Sequence, residues 1–340
     1  MKIAVYGAGS MGTIMGALLS KAGKDVDLID INAEHVKALN EKGAQITGYL
    51  ELIQPVKALV PDDMQELYDL IIYQTKPTQN ESALPYVARY LKPDGVVVVG
   101  QNGMPEEAVA EAVGEDRVIG CILGWGATWM GPGVSKLTSP VELMDFHLAE
   151  PDNRITERLL AIKDLFDEIG HAHIIPDLQG GRFSKLIVNC CYSTMGTILN
   201  GTFGDVIDSP KGIRCAAHIY NEAMAIANAA GYELVPPVEG FDFNALTFET
   251  NEDMEDLIPV FQFMVEEHRN IKPQLIFDIL AGRYPEINTT YNGILLRLGK
   301  KYGIPTPVNT QAVDIVHRTA IGELQLDSAN VDLITLPDLP

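Results

Sequence analysis

Three groups of residues in this 340-residue chain have types and spacing that could do chemistry. The first is Gly7, Gly9 and Gly12 in G-A-G-S-M-G, which follow a short apolar, β-branched run at 2–6. The second is a set of polar residues just past strand-like runs: Asp30 after 26–29, Lys76 after 70–73 and Asn102 after 95–99. The third is Lys185, Asn189 and Ser193, spaced i, i+4 and i+8 on an otherwise apolar helical stretch at 182–200. Glycines so placed can cradle a phosphate: Gly7 makes the turn, Gly9 lets the backbone approach, and Gly12 lets a helix pack closely on a strand. A carboxylate at a strand tip can take both hydroxyls of a ribose. A lysine on an apolar helix is costly to bury unless it is paired or put to use.

The flanking sequence supplies the elements that would position these groups. Past the glycines, Met11, Ile14, Met15, Leu18, Leu19 and Ala22 recur at the spacing of one helical face. Gly23 stops that helix, and Val26, Leu28 and Ile29 form a second strand ending at Asp30. Strand, glycine turn, helix and strand with an acid at its tip make a dinucleotide-binding βαβ unit, with phosphates over residues Gly7, Ala8, Gly9, Ser10, Met11 and Gly12. A secretory signal would also place Lys2 before an apolar stretch. The regular glycines, the lack of a small-residue cleavage site after Leu19, and Lys21 and Lys24 argue against it. Asp30 would repel a 2′-phosphate, and Ile31, Asn32, Ala33 and Glu34 offer no basic partner, so NAD(H) is favoured over NADP(H). The alternative is that Asp30 only caps a turn. Lys76 and Asn102, at equivalent strand tips, suggest a pocket at the carboxyl ends of a parallel sheet. The Lys185 stripe is also what the solvent face of an amphipathic helix would show.

The remaining pattern divides the chain. Residues 44–60 read as a hairpin or irregular strands, 118–123 as a strand, and 131–148 as a turn into an antiparallel segment. A helix at 153–169 and a short strand at 172–175 lead to an expected hinge at 176–181. Helices dominate afterwards, at 210–230 behind the Ser209-Pro210 cap, then 251–268, 272–282, 292–302 and 309–323. His218 reads as a helix-contact or surface residue, and the tail with Pro337 and Pro340 as loosely held. The expected architecture is an α/β domain with a parallel, doubly wound sheet over 1–177 and an all-α domain over 178–340. With 46 acidic and 25 basic residues the formal charge is −21, which argues against nucleic acid or an anionic membrane as partner. An anionic substrate would then need a local basic centre. Cys121, Cys190, Cys191 and Cys215 show neither a disulfide framework nor metal spacing, so a reducing cytoplasm is expected.

Several motifs, in order, resemble the ketopantoate reductase (2-dehydropantoate 2-reductase) family over nearly the whole length. They are G-A-G-S-M-G, T-K-P-T-Q around Lys76, Q-N-G-M at Asn102, G-A-T-W-M-G-P-G-V at 126–134, S-K-L-I-V-N at 184–189, and K-P-Q-L-I-F-D-I-L-A-G-R-Y-P-E-I from Lys272, with Asn292-Gly293 beyond. The resemblance implies a Rossmann domain followed by a helical domain of the 6-phosphogluconate dehydrogenase type, with room for a homodimer. It implies Lys185 as general acid, Asn189 as a partner of the substrate hydroxyl, Asn102 and Lys76 as cofactor and substrate contacts, Ala127 near the cofactor, and Glu286 on the nicotinamide ribose side. The expected reaction is reduction of a small 2-oxo acid, ketopantoate or a relative, to its 2-hydroxy acid. Ser193 and Phe203 stand where the family has Asn, Gln274 where it has a substrate-binding Ser, and Asp30 where a basic residue is more usual. Substrate recognition at Ser193 and Gln274 is therefore expected to differ. The rival readings are a β-hydroxy acid or opine dehydrogenase, which would pair a histidine with a carboxylate, and a non-catalytic NAD(H) sensor.

Overall fold

Strands buried along nearly their whole length, with amphipathic helices between them, build a doubly wound sheet over the first half of the chain. A computed structural model describes residues 1–236 and 240–339. The strands are β1 (Lys2–Tyr6), β2 (Asp25–Ile29), β3 (Ala44–Gly48), β4 (Leu52–Gln54), β5 (Lys57–Leu59), β6 (Tyr68–Tyr73), β7 (Leu91–Val99), β8 (Val118–Leu123), β9 (Ala127–Gly131), β10 (Val134–Leu137), β11 (Asp145–Ala149) and β12 (His171–Ile174). The larger sheet runs β12-β11-β8-β7-β6-β1-β2-β5, parallel throughout except where β11 pairs antiparallel with β8. Strand order reverses between β1 and β6, so their carboxyl ends flank the crevice where such sheets bind ligands. The smaller sheet, β4-β3-β10-β9, joins the hairpin expected at 44–60 to the antiparallel pair β9–β10, whose turn lies at 131–134.

Helices α1 (Ser10–Lys21), α2 (Ala33–Lys42), α3 (Asn80–Tyr90), α4 (Glu106–Val113) and α5 (Glu157–Asp167) complete this unit, which runs Met1–Leu178. Because successive strand residues point to opposite faces, Ile3 and Val5 join one core with Ile14, Met15 and Phe166. Ala4 and Tyr6 join the other with Leu84, Val87 and Val109. The buried Asp27 carboxylate accepts from the Tyr68 hydroxyl at 2.8 Å and pairs with Lys2 at 3.1 Å and Lys57 at 3.2 Å. A charge so enclosed is tolerated because it is multiply paired. The helix expected at 153–169 begins only at Glu157. Asn153 adopts φ +60°, its side chain accepts the Leu178 N–H at 2.9 Å, and Thr156 caps the helix instead.

The second unit, Gln179–Pro340, is helical. It comprises α6 (Leu178–Val188), α7 (Thr194–Ile198), α8 (Phe203–Asp208), α9 (Pro210–Ala230), α10 (Asn251–Phe263), α11 (Gln274–Leu280), α12 (Asn292–Tyr302) and α13 (Pro307–Ala320). Helix α9 starts where Ser209 accepts the Gly212 N–H, and it packs against α8, α10, α12 and α13. Its buried residues include His218, packed edge-on against Phe248 at 5.3 Å between ring centroids.

The division between the two units falls after Leu178, inside the span 176–181 where a hinge is expected, and Gly180 and Gly181 lie within α6. One expectation fails here. The tail is not loose over its described residues: Ile334 is buried, Gln311 accepts the Thr335 N–H at 2.8 Å, and Asn251 donates to the Leu339 carbonyl at 2.9 Å. Pro340 lies outside the described residues.

The glycine turn yields a contrast in stability. A Cβ at Gly12 would stand 2.2 Å from the Gly7 carbonyl oxygen, whereas one at Gly9 would meet nothing within 4 Å. Overpacking of this kind costs about 1–3 kcal/mol, so Gly12→Ala is expected to lower Tm by at least about 2 °C. Gly9→Ala should leave Tm near that of the wild type. Thermal unfolding followed by circular dichroism checks both, and equal Tm values would refute the steric account.

Candidate functional site

Gly7 carries φ +97°, and a Cβ there would lie 2.7 Å from the Thr75 amide nitrogen, so a side chain is excluded by both strain and space. The Gly7 and Ala8 N–H groups donate to the Ile29 carbonyl at 2.8 and 3.0 Å, which ties the turn to the end of β2. Helix α1 then starts at Ser10 behind Gly9, with no side chain capping it. Its first N–H groups therefore remain available to an anion at the positive end of the helix dipole. The open space at Gly9 is where a pyrophosphate can come against backbone, so these residues fit a dinucleotide.

The neighbouring strand tips carry the other expected residues. Asp30 follows β2 and accepts the Asn32 N–H at 2.9 Å, while Asn32 caps α2 by accepting the His35 N–H at 3.1 Å. Lys76, half-buried, precedes a short turn at Pro77–Gln79 beyond β6, and Asn102, exposed, lies beyond β7. Between them, buried Gln101 donates to the Thr75 carbonyl and to Asn80 Oδ1, both at 2.8 Å, and so ties the tips of β6 and β7 together. The glycine loop, Asp30, Lys76 and Asn102 thus sit past the same ends of four adjacent strands. Ala127 is not on that sheet. It begins β9 of the smaller sheet, which packs against α1.

His35 escaped the sequence reading, because its partners are distant in the chain. Fully buried, its Nδ1 accepts the Gly133 N–H at 2.8 Å, so Nε2 carries the proton and donates to the Ala8 carbonyl at 2.7 Å. The Thr13 hydroxyl donates to the same carbonyl at 2.6 Å, and the Trp129 ring lies 4.5 Å from the imidazole. One neutral histidine therefore joins the glycine loop, α2 and the β9–β10 turn. Burial holds its imidazole below the ordinary value, against the opposing pull of the Ala8 carbonyl and the Asp30 carboxylate. Burial likewise raises Asp30, opposed by the Asn32 N–H and by His35.

In the second unit, Lys185 is half-buried on α6, but the single helix expected at 182–200 is broken by a π-turn, Asn189–Ser193. Ser193, at the end of the π-turn, is buried, while Asn189 at its start is half-buried. Ser193, Phe203 and Gln274, three of the four positions that depart from the resembled pattern, lie on or beside elements in contact with one another. Phe203 donates its N–H to the Ile271 carbonyl at 3.0 Å, and its ring lies 5.8 Å from that of Tyr192. Pro273, just before Gln274, packs on Gly196 of α7, where a Cβ would lie 2.9 Å from its ring. Gln274 is exposed at the start of α11. Glu286, half-buried, accepts from the Thr290 hydroxyl at 3.4 Å in the segment before α12. Among the described residues no cluster of three or more His, Cys, Asp or Glu could hold a metal, and no helix is long and apolar enough to cross a membrane. The four cysteines are free and buried.

Comparison with known proteins gives matches over both units. Residues 3–145 match the family described as ketopantoate reductase PanE/ApbA, and residues 177–320 match its C-terminal counterpart. A 2-dehydropantoate 2-reductase of Pyrococcus abyssi is 28% identical over 314 residues, covering 91% of this chain and 94% of that protein. A D-mandelate dehydrogenase solved in a ternary complex with NADH and anilino(oxo)acetate superimposes with TM-score 0.79 at 26% identity, over 94% of this chain and 99% of that one. A PanE/ApbA family ketopantoate reductase from Ralstonia eutropha shares the fold, with TM-score 0.80 at 21% identity and the same coverage of 94% and 99%.

The neutral His35 gives stability a pH dependence. A folded-state value below that of the unfolded chain keeps the stabilisation full above about pH 6.5 and loses it as pH falls below that range. The Tm of the wild type should fall between about pH 7.5 and pH 5.5, and His35→Gln, whose amide can make both hydrogen bonds without titrating, should fall less. Parallel decline of the two proteins in a thermal-shift series would sink this account of His35.

Proposed function

The chain belongs to the ketopantoate reductase family, and from that premise we propose that it reduces a 2-oxo acid to the 2-hydroxy acid, with Lys185 as the general acid and NADH as the favoured reductant. At the coarser level it is a ketopantoate reductase-like oxidoreductase. The observation that carries the finer reading is a half-buried lysine on a helix lined by buried apolar residues, in a chain whose other unit offers an uncapped, open glycine turn.

The bound nicotinamide supplies the hydride that reaches the carbonyl carbon. The chain's own part is electrostatic and geometric. The α1 N-terminus and the loop from Gly7 to Gly12 hold the pyrophosphate, and Asp30 takes the ribose hydroxyls and disfavours a 2′-phosphate. By the family resemblance, Lys76 and Ala127 in the first unit and Glu286 in the second are each cofactor contacts. The same resemblance makes Asn102 a cofactor and substrate contact. The Lys185 ammonium polarises the carbonyl oxygen and gives it a proton, and Asn189 on the same helical run partners the substrate hydroxyl. The same charge attracts the carboxylate of the substrate.

A second reading concerns the substrate side chain. Ser193, Phe203 and Gln274 depart from the family pattern on adjoining elements, and a relative of comparable identity was solved with the aromatic anilino(oxo)acetate. Both support a 2-oxo acid bearing a bulky hydrophobic group as the alternative to ketopantoate. Neither a histidine-based dehydrogenase nor a sensor has such support. His35 is committed to the Ala8 carbonyl, His218 is packed against Phe248, and the exposed His173–Asp145 pair, 3.5 Å apart, sits on β12 and β11 at the far edge of the sheet.

Oxidation of NADH and NADPH followed by absorbance, across ketopantoate and aromatic and aliphatic 2-oxo acids, is the direct test. Turnover should favour NADH, and Lys185→Ala should lower kcat by about a hundredfold or more while NADH binding changes by less than about twofold. Undiminished turnover in Lys185→Ala would overturn the assignment.

A further inference from the structure

The stretch from α6 to α7 is one run of helix widened by a single π-turn at Asn189–Ser193. A π-turn displaces a carbonyl from the regular i→i−4 ladder, and such a break persists where a side chain enters the ladder to satisfy it. The side chain here comes from α12. Asn292, fully buried, donates through Nδ2 to the Cys190 carbonyl at 3.3 Å, inside the π-turn. The same amide donates to Asn309 Oδ1 at 2.7 Å, and its Oδ1 accepts the hydroxyl of Thr194, the first residue of α7.

The chain of contacts continues beyond Asn292. Asn309 donates through Nδ2 to Glu222 Oε2 at 2.6 Å. The Glu222 carboxylate, on α9, also takes the Val308 N–H at 2.8 Å and the Asn309 N–H at 3.1 Å in the first turn of α13. All three of these groups donate, so the network requires an accepting carboxylate, which is favoured at the positive end of a helix. Each amide has one orientation only: Asn309 Oδ1 must accept and its Nδ2 must donate, and that fixes Asn292. The other ties of the π-turn, Tyr192 hydroxyl to the Phe261 carbonyl and Thr197 hydroxyl to the Ser193 carbonyl, do not reach Cys190.

We propose that Asn292, oriented by Asn309 and Glu222, is a positioning residue that maintains the π-turn and so sets the angle of Lys185 relative to Ser193 and the α7 face. Closing the π-turn by one residue would rotate one segment against the other by about 100° and shift it by about 1.5 Å. The turn is therefore a coarse setting of which side chains share a face with the lysine. The consequence for turnover rests on the reading of Lys185 as general acid; the claim about the π-turn does not.

The test combines crystallography with kinetics on the full chain. Asn292→Leu keeps bulk but removes both donors, Thr194→Val removes only the hydroxyl, and Thr194→Ser restores it. Asn292→Leu is expected to show a regular helix across 185–198 and a kcat lowered by about tenfold to a hundredfold, with NADH affinity within about twofold of the wild type. Thr194→Val should shift in the same direction and Thr194→Ser should behave as the wild type. An unchanged π-turn in Asn292→Leu, or in Thr194→Val where the former does not fold, overturns the proposal. So does a relaxed turn with unchanged kcat and KM. Wild-type turnover indifferent to Lys185 would instead overturn the proposed function, and with it only the catalytic consequence drawn here.

Discussion

The nucleotide-binding unit depends on one close approach, that of Gly12 to the carbonyl of Gly7. There is no space for a methyl group at that contact, and the turn it closes points the first N–H groups of α1 past the strand ends. The Ala8 carbonyl has to go elsewhere, and two donors take it: the Thr13 hydroxyl and the His35 imidazole. Because His35 also accepts from Gly133, the geometry of the turn is coupled to the hairpin that carries Trp129. The glycine loop, with its uncapped N–H groups, is thus held from behind by Thr13 and His35. Open at Gly9 and closed at Gly7 and Gly12, it is ordered before any ligand arrives.

The helical unit solves a similar problem with different means. Its core is apolar along most of α9, yet a polar chain of Thr194, Asn292, Asn309 and Glu222 runs through it. Buried polar groups are tolerated only when their partners are complete, and here each side chain has a defined donor or acceptor. An apolar replacement could pack as tightly but could not hold a carbonyl out of a helical ladder. Polarity in this core specifies a backbone irregularity, and that irregularity falls between Lys185 and α7 and ends at Ser193.

How far this could be read from the sequence depends on the range of the interactions involved. Period-two and period-3.6 patterns are local, so the β1–α1–β2 unit, the strand at Val118–Leu123 and the capped helix at Pro210–Ala230 were all legible. The acid at the tip of β2 and the polar residues at the tips of β6 and β7 were legible for the same reason. The π-turn was not, since nothing in N-C-C-Y-S distinguishes it from ordinary helix and its cause lies 102 residues away in Asn292. The role of His35 was hidden likewise by the 98 residues that separate it from Gly133. Gly180 and Gly181 mark the region where the two units divide, yet they lie within α6, because glycine's weak helix preference is easily overridden by its neighbours.

Charge is the remaining constraint. A chain with a formal charge of −21 must bind a dinucleotide diphosphate and, on the proposed function, an oxo acid, both of them anions. A general basic field is not available to it. What it offers instead is short-range: backbone N–H groups at a helix end whose influence fades within a turn, and one ammonium on an apolar helix. Beyond a Debye length of about 8 Å the acidic surface is largely screened, so it does little to repel a ligand already at the site. It does nothing to steer one there either. Association should therefore be slower than in a basic-clefted enzyme and only weakly dependent on salt, and binding must rest on the fit of the pocket. On the proposed function, specificity then falls to uncharged short-range contacts, for which Phe203 and Gln274 are the candidates.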